Sequence, residues 1–327
     1  MRKIFIFFLF LIIGNLISAQ KVFYKKMLLM GSRFDISVVD IDSASAFEDI
    51  NIAKNEILRI EKLISSWDAS SQTSMINANA GIAPIKVDKE LYDLIQRSLA
   101  ISKITDGAFD ISYASMDRVW KFDGSMSQMP SKKDIANSVL NVGYQYIILD
   151  ESKSTVFLKN KGMRIGFGGI GKGYAADMAK QLLISKGVKA GIINASGDMS
   201  TWGKQLNGKD WTIALTNPMN KKKAFAVLPI SGKAVVTSGD YERFVKFNGI
   251  RYSHIINPKT GYPATGIISV TVFAPSTELA DALATSVFVM GVDVGLNRIN
   301  QLANIDCIII DEKGSIFTSS NININDK

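Results

Sequence analysis

The chain reads as an α+β protein, with antiparallel sheets and packed helices in a single compact domain. Three observations carry that expectation. Strand-like and helix-like segments come in blocks instead of strict alternation, which argues against a doubly wound parallel sheet. The second half is dominated by short apolar runs bounded by turn residues, the pattern of antiparallel strands. Finally, 47% hydrophobic and 21% charged residues in a chain of 327 are globular values, and no linker, repeat or low-complexity stretch divides it.

Taken in order, the first segment is an address. Arg2 and Lys3 precede an apolar run from Ile4 to Ile13, broken by Gly14-Asn15 and followed by Ile17-Ser18-Ala19. Basic, then apolar, then small is the order of a secretory signal peptide, here residues 1–19 with cleavage after Ala19. The run is short for a bilayer span, although an uncleaved anchor is the other reading, and only then would the protein contact a membrane. No Cys follows the run, so a lipid-bearing N-terminal Cys is not available. The expectation is a soluble, exported, periplasmic domain spanning residues 20–327.

That domain opens with alternation over Arg33–Val39, which predicts a strand. Ser43 to Ser66 carries Ile50, Ile52, Ile57, Leu58, Ile60, Leu63 and Ile64 at helical spacing. A second helix is expected over Leu91–Ile104, stopped by Asp106-Gly107, then a hairpin from Tyr146–Leu149 and Thr155–Leu158. A glycine turn from Gly166 to Gly173 opens a helix to about Lys186. Strands are expected at Ala190–Ala195, Trp211–Leu215, Ala224–Leu228, Ala234–Thr237, Arg251–Ile256 and Ile267–Phe273. A helix over Thr277–Met290, a second short helix, a strand around Cys307 and a last one at Ser315–Thr318 complete the chain.

Composition narrows the function classes. The net charge is +8, of which Arg2 and Lys3 contribute two, leaving +6 on the expected mature chain. No basic cluster is interleaved with aromatics, so nucleic acid is not indicated. Lys221-Lys222-Lys223 sits among loop residues and reads as a solvated turn. With Cys307 as the only cysteine there is no intrachain disulfide, and its apolar neighbours make it core packing. His254 is the only histidine, which excludes a zinc site with two His ligands.

Three segments can carry chemistry. In Gly166–Asp177, glycines ahead of a helix let backbone amides approach phosphate, with Lys172 available to neutralise charge. The spacing matches neither the P-loop nor the dinucleotide fingerprint, so a tight strand-to-helix connection is the alternative. In Thr237–Arg243 with Tyr252–Pro263, His254 has a pKa range suited to proton transfer, or it is simply satisfied inside a turn. In Leu279–Thr285, Asp281 and Thr285 are four apart on one helix face, a hard-oxygen pair suited to Mg²⁺. Their alternative roles are a favourable helix-dipole charge and a hydroxyl bonded back to its own helix.

These segments lie in collinear order with Met30-Gly31-Ser32, Ser66-Trp67 with Ser74–Asn77, Thr105–Asp110, Asn194–Asp198 and Ala280–Gly291. In that arrangement the chain resembles the ApbE family of FAD:protein FMN transferases. Ser253–Pro263 and Asp281–Thr285 are the most specific stretches. The resemblance implies the family's α+β, T-fold-like architecture, with FAD in a groove and its pyrophosphate against Mg²⁺. It implies metal ligands at Asp281, Thr285 and the Gly169 carbonyl, and FAD contacts at Met30, Trp67, Ala108, Phe109, Asp110, Lys172, Ile255 and Ala284. His254 matches the family's essential histidine. The implied reaction moves FMN onto a Thr or Ser hydroxyl of an acceptor protein, with exported subunits of membrane redox complexes as acceptors. An FAD pyrophosphatase and a non-catalytic flavin-binding protein would share these residues. Three positions depart from the family pattern: Gly166 stands where Asp is usual, Ser196 where Gly is usual, and Ser32 where Thr is common.

The N-terminal reading is checked by mass spectrometry of the protein from its native host. Gln20, or its cyclised form, is expected as the first residue. A full-length chain in the membrane fraction would show that the Ile4–Ile13 run is an anchor.

Overall fold

The computed structural model describes residues 20–217, 220–230, 232–240 and 243–322. The expected leader and its cleavage site before Gln20, and Tyr241 and Glu242 of the second chemical segment, lie outside the described residues.

The chain enters through β1 (Lys21–Leu29) and β2 (Ser32–Asp40), joined by Met30-Gly31 at φ 50° and 66°. Asp42 accepts from Ser45 N and caps α1 (Ser43–Ile64). That helix buries Ala46, Ile50, Ala53, Ile57, Ile60 and Ile64, a three-and-four spacing that lays one stripe on the core. Next come α2 (Gln72–Ala78), β3 (Ile85–Lys86) and α3 (Lys89–Ile104), whose end is turned by Asp106 and Gly107 at φ 48° and 71°. A 3-10 turn at Ile111–Ser115 leads to α4 (Lys132–Ser138), β4 (Ile147–Asp150) and β5 (Thr155–Leu158). Then follow α5 (Gly171–Ser185), β6 (Gly191–Ala195), β7 (Asp198–Trp202), β8 (Trp211–Asn217) and β9 (Asn220–Ile230). The last third contains β10 (Ala234–Gly239), β11 (Phe244–Phe247), β12 (Ile250–Ser253) and β13 (Ile267–Ala274). It closes with α6 (Thr277–Met290), α7 (Val292–Asn300), β14 (Asp306–Asp311) and β15 (Ile316–Thr318).

An eight-stranded sheet runs in the order β1-β2-β6-β7-β10-β13-β14-β15, with every neighbouring pair antiparallel. This is the α+β arrangement that the blocks of the sequence imply. The two-residue strand period explains how both faces of the sheet are used. Val236, Val270, Val272 and Ala274 pack with α6 and α7 on one face. Val235, Phe273 and Ile308 turn to the other face and meet Ile213, Leu215 and Ile230 of the β8–β9 hairpin. Covered on both sides, β13 is buried at every residue. Toward the other end of the sheet, Phe34, Ile36, Val38, Ile193 and Ala195 pack in the cluster that contains the buried stripes of α1 and α5.

Several elements escaped the pattern. β1 lacks alternation because it is an edge strand with most of its residues in solvent. β7 reads as polar (Asp-Met-Ser-Thr-Trp) although Asp198, Ser200 and Thr201 are buried. The Lys221–Lys223 run belongs to β9 and not to a loop. On α1, Leu58 points to solvent, since the buried stripe passes through Ile57 and Ile60.

The element that positions the site is the contact between α5 and α6. A Cβ on Gly173 would come within 2.3 Å of the Thr277 carbonyl oxygen and 2.9 Å of Glu278 N. Both atoms are backbone, so neither can swing aside. Gly173→Ala should therefore push the two helices apart and cost about 1–3 kcal/mol in urea unfolding. An unchanged unfolding midpoint would show that this approach is not a constraint.

Candidate active site

The site begins with two helices that cap each other. α5 starts at Gly171, and Ile170 before it has no side chain able to cap. Its third amide, Gly173 N, donates instead to Asp281 Oδ2 of α6 at 3.2 Å. In return Asp177 of α5 accepts from Thr277 Oγ1 (2.7 Å) and Glu278 N (2.9 Å) at the start of α6, and from Ser200 Oγ of β7 (3.0 Å). Each helix thus supplies a carboxylate to the other's amino end, where a negative charge stabilises by about 0.3–1 kcal/mol, and more when partly buried. Two partially positive helix ends converge on one point.

Lys172 lies at that point. Its Nζ is 2.5 Å from Asp198 Oδ2 and 3.4 Å from Asp281 Oδ2. Burial lowers the lysine pKa, but Asp281 and Asp198 outweigh it and hold the ammonium charged well above its ordinary value. Asp198 is pushed up by burial and by the neighbouring Asp281 charge, with Lys172 opposing. One lysine faces two carboxylates, so the cluster retains negative charge and favours a cation.

The oxygen donors for such a cation are present. Asp281 provides a carboxylate. Thr285, one turn along α6, makes no side-chain hydrogen bond among the described residues, whereas the adjacent Ser286 bonds back to Ala282 O at 2.6 Å. The Gly169 carbonyl stands just ahead of the helix and accepts no hydrogen bond among the described residues. A Cβ on Gly169 would stand 3.3 Å from Thr285 Oγ1, so the turn and the hydroxyl are in contact. A carboxylate, a hydroxyl and a carbonyl form an all-oxygen set that suits a hard divalent cation such as Mg²⁺. Among the described residues no group of three or more His, Cys, Asp or Glu side chains could hold a metal ion, so a cation here would depend on Asp281 with neutral oxygens.

Of the other expected contact residues, Phe109 and Met30 border the same glycine turn. The Phe109 ring lies 3.5 Å from where Gly169 would carry a Cβ, and Met30 Cε lies 3.7 Å from the equivalent point on Gly171. Ala108 and Ala284 are buried and offer a wall more than a surface. Ile255 packs on the apolar cluster that includes Ala284. Trp67 is 80% exposed, with the Arg118 guanidinium 5.0 Å over its ring. Asp110 is committed locally: its carboxylate accepts from Ser112 N, Ser112 Oγ and Tyr144 N at 2.6–2.7 Å. It organises the 3-10 turn beside the site. Gly166 has no positive φ, and a side chain there would press on Ala114 Cβ at 3.1 Å. Ser196 does occupy the left-handed region, at φ 55°, with its hydroxyl bonded to Arg33 O.

His254 is presented by the β11–β12 hairpin, which turns at Asn248 and Gly249 with φ 50° and 80°. Its backbone N–H and its Nδ1 both meet Arg243 O, at 3.0 and 3.2 Å. With Nδ1–H donating to that carbonyl, Nε2 is left as the acceptor. Burial lowers the imidazole pKa; the Arg243 carbonyl raises it and the Arg243 charge lowers it. The hairpin is anchored by Arg251, which donates to Asp240 Oδ2 (2.8 Å) and Asp240 O (2.9 Å) and lies 3.6 Å over the Phe244 ring. Burial pushes Asp240 up to about 6, against the opposing pull of Arg251. No hydrogen bond or ion pair among the described residues joins His254 to the Lys172 cluster.

Sequence reasoning missed Asp177 and Asp198 as site residues, although both stand in quoted stretches. Asp177 is four residues beyond Gly173 on one helix face, and Asp198 begins a strand directly after the Ser196-Gly197 turn. Neither position identifies its partners, which come from other elements.

The sequence pattern of the ApbE family matches residues 30–309. A Klebsiella pneumoniae protein named FAD:protein FMN transferase is 33% identical over 305 residues, covering 93% of each chain. A Treponema pallidum protein of the same name is 29% identical, covering 80% of this chain and 78% of its own length. Among solved structures, an ApbE protein from Thermotoga maritima superposes with a TM-score of 0.83 at 30% identity, covering 92% of this chain and 97% of that one. The flavinyl transferase ApbE of Pseudomonas stutzeri gives 0.81 at 25% identity, covering 92% and 95%.

As the only histidine, His254 gives one imidazole signal in NMR. Its midpoint should fall below the ordinary value of about 6.5. Its contribution to stability is then complete above about pH 6.5 and is lost as pH falls through the lowered folded pKa. A midpoint at or above 6.5 would contradict the half-buried placement.

Proposed function

The chain belongs to the ApbE family, and we propose that it is an FAD:protein FMN transferase acting on a Thr or Ser hydroxyl of an acceptor protein. The observation that carries this reading is Lys172 held against Asp281 at the amino end of α5, beside the Gly169 carbonyl and the Thr285 hydroxyl. A fixed ammonium next to an oxygen-lined cation site suits a pyrophosphate.

The acceptor oxygen attacks the FMN-side phosphorus, the bond from that phosphorus to the bridging oxygen breaks, and AMP leaves with the electron pair. FMN remains joined to the acceptor as a phosphoester. Lys172 offsets phosphate charge as the leaving group forms. Mg²⁺, held by Asp281, Thr285 and the Gly169 carbonyl, would neutralise charge on the pyrophosphate oxygens. His254, uncharged near neutral pH with Nε2 available, receives or orients the acceptor proton. Met30, Trp67 and Ile255 supply apolar surface for the flavin and adenine, and Ala108, Phe109, Asp110 and Ala284 hold the walls behind them. Export through residues 1–19, without lipid attachment, would bring the enzyme to periplasmic acceptors, with subunits of membrane redox complexes as the expected class.

The direct test incubates the enzyme with FAD, Mg²⁺ and a candidate acceptor, then looks for flavin fluorescence on the acceptor band of a denaturing gel. Protein-bound flavin with one AMP released per flavin is expected. Free FMN and AMP with no labelled protein would make the chain a pyrophosphatase, and FAD left intact would make it a carrier.

Asp281→Ala should lower transfer by roughly 100-fold or more while FAD affinity falls less. Near-normal turnover at ordinary Mg²⁺ would remove the metal assignment. His254→Ala should remain folded and bind FAD, yet lose about 10²–10⁴ in turnover. Full activity per folded molecule would reduce His254 to a turn residue.

A further inference from the structure

Tyr113 belongs to none of the residue sets above, yet it is built into the glycine turn. The 3-10 turn at Ile111–Ser115 is laced to residues 164–168 by a series of bonds. Arg164 N donates to Ser115 Oγ (2.7 Å), which donates to Arg164 O (2.9 Å), and Gly166 N donates to Ile111 O (2.9 Å). The last member is Gly168 N, which donates to the Tyr113 hydroxyl at 3.2 Å. Asp110 fixes the start of the turn through Ser112. The hydroxyl lies where side chains of the turn would otherwise be. A Cβ on Gly168 would come within 2.3 Å of it, and one on Gly166 within 3.7 Å.

This hydroxyl has its acceptor role filled and its proton left over. Among the described residues no group accepts from Tyr113 Oη. Tyr113 is 41% exposed, so the residue reaches solvent and is not sealed in the core. Enclosure around the oxygen raises the phenol pKa. Gly168 N–H pulls it down, the Asp281 charge raises it, and Lys172 and Arg118 lower it. The group therefore stays a neutral donor, close enough to feel both charges of the Lys172–Asp281 cluster.

We propose that Tyr113 is a substrate-contacting residue whose hydroxyl donates to a pyrophosphate oxygen of the bound dinucleotide, beside Lys172. The proposal rests on the flavin-transferase reading for its ligand, but it can fail separately. A tyrosine donor adds a directional contact without adding charge to a cluster already crowded with carboxylates. The glycine at 168 follows from it, since a Cβ there would enter the space in which the hydroxyl stands.

The test is Tyr113→Phe in the full mature chain, with affinities measured in the absence of acceptor and of Mg²⁺. FAD and ADP, which carry the pyrophosphate, should bind about 10-fold more weakly. Riboflavin and adenosine, which carry no phosphate, should bind within twofold of wild type. With Mg²⁺ and acceptor present, transfer should also fall. Equal weakening of all four ligands would mean that Tyr113 only braces the loop and would overturn the proposal. Unchanged binding of FAD and ADP would overturn it as well. A wild-type protein that binds FAD through its phosphates yet transfers nothing would remove the transferase reading and leave the Tyr113 contact standing.

Discussion

The rest of the structure depends on the exchange of carboxylates between α5 and α6. Without Asp281, the amino end of α5 has no side-chain cap, and its third amide would be left without a partner. Without Asp177, α6 would lose two bonds at its first turn and its tether to Ser200 on the sheet. Gly173 permits the approach that makes both exchanges possible. Asp281 satisfies an amide that the first turn of any helix leaves without a backbone partner. In the proposed enzyme the same carboxylate would both cap α5 and hold the cation.

That economy has an electrostatic cost. Asp198 and Asp281 are both buried and share one lysine, and enclosing like charges is unfavourable unless a partner arrives. Convergent helix ends and Lys172 offset part of it, and a divalent cation would offset more. The apolar clusters on both faces of the sheet supply the stability that tolerates this arrangement. His254 belongs to a different device, a hairpin pinned by Arg251 and Asp240, so the two halves of the site are held independently.

Much of the fold was legible because the sequence obeys local rules. α1 shows its stripe, β13 its unbroken apolar run, and Asp106-Gly107 its helix stop. The elements that were not legible are those whose burial is decided by distant partners. β7 is polar in sequence because its Ser200 serves Asp177 and its Asp198 serves Lys172, twenty-three and twenty-six residues away. β1 lies at an edge and β3 is two residues long, so neither has a face to pattern. Within the site, Asp281 and Thr285 could be paired from their helical spacing, and Lys172 from its place in a helix's first turn. Asp110 was named as a contact, but its environment shows a carboxylate already engaged by Ser112 and Tyr144. Tyr113 left no sequence signal, since only the folded chain lays its hydroxyl over Gly168.

The central claim is that mutual helix capping prepares an oxygen-lined cation site against which the pyrophosphate of FAD is held. Anomalous diffraction from crystals grown with Mn²⁺ and FAD tests it most directly. The account predicts one strong Mn²⁺ peak in contact with Asp281, Thr285 and the Gly169 carbonyl, with pyrophosphate oxygens completing its shell. A peak elsewhere, or FAD bound with its phosphates away from α5 and α6, would contradict it.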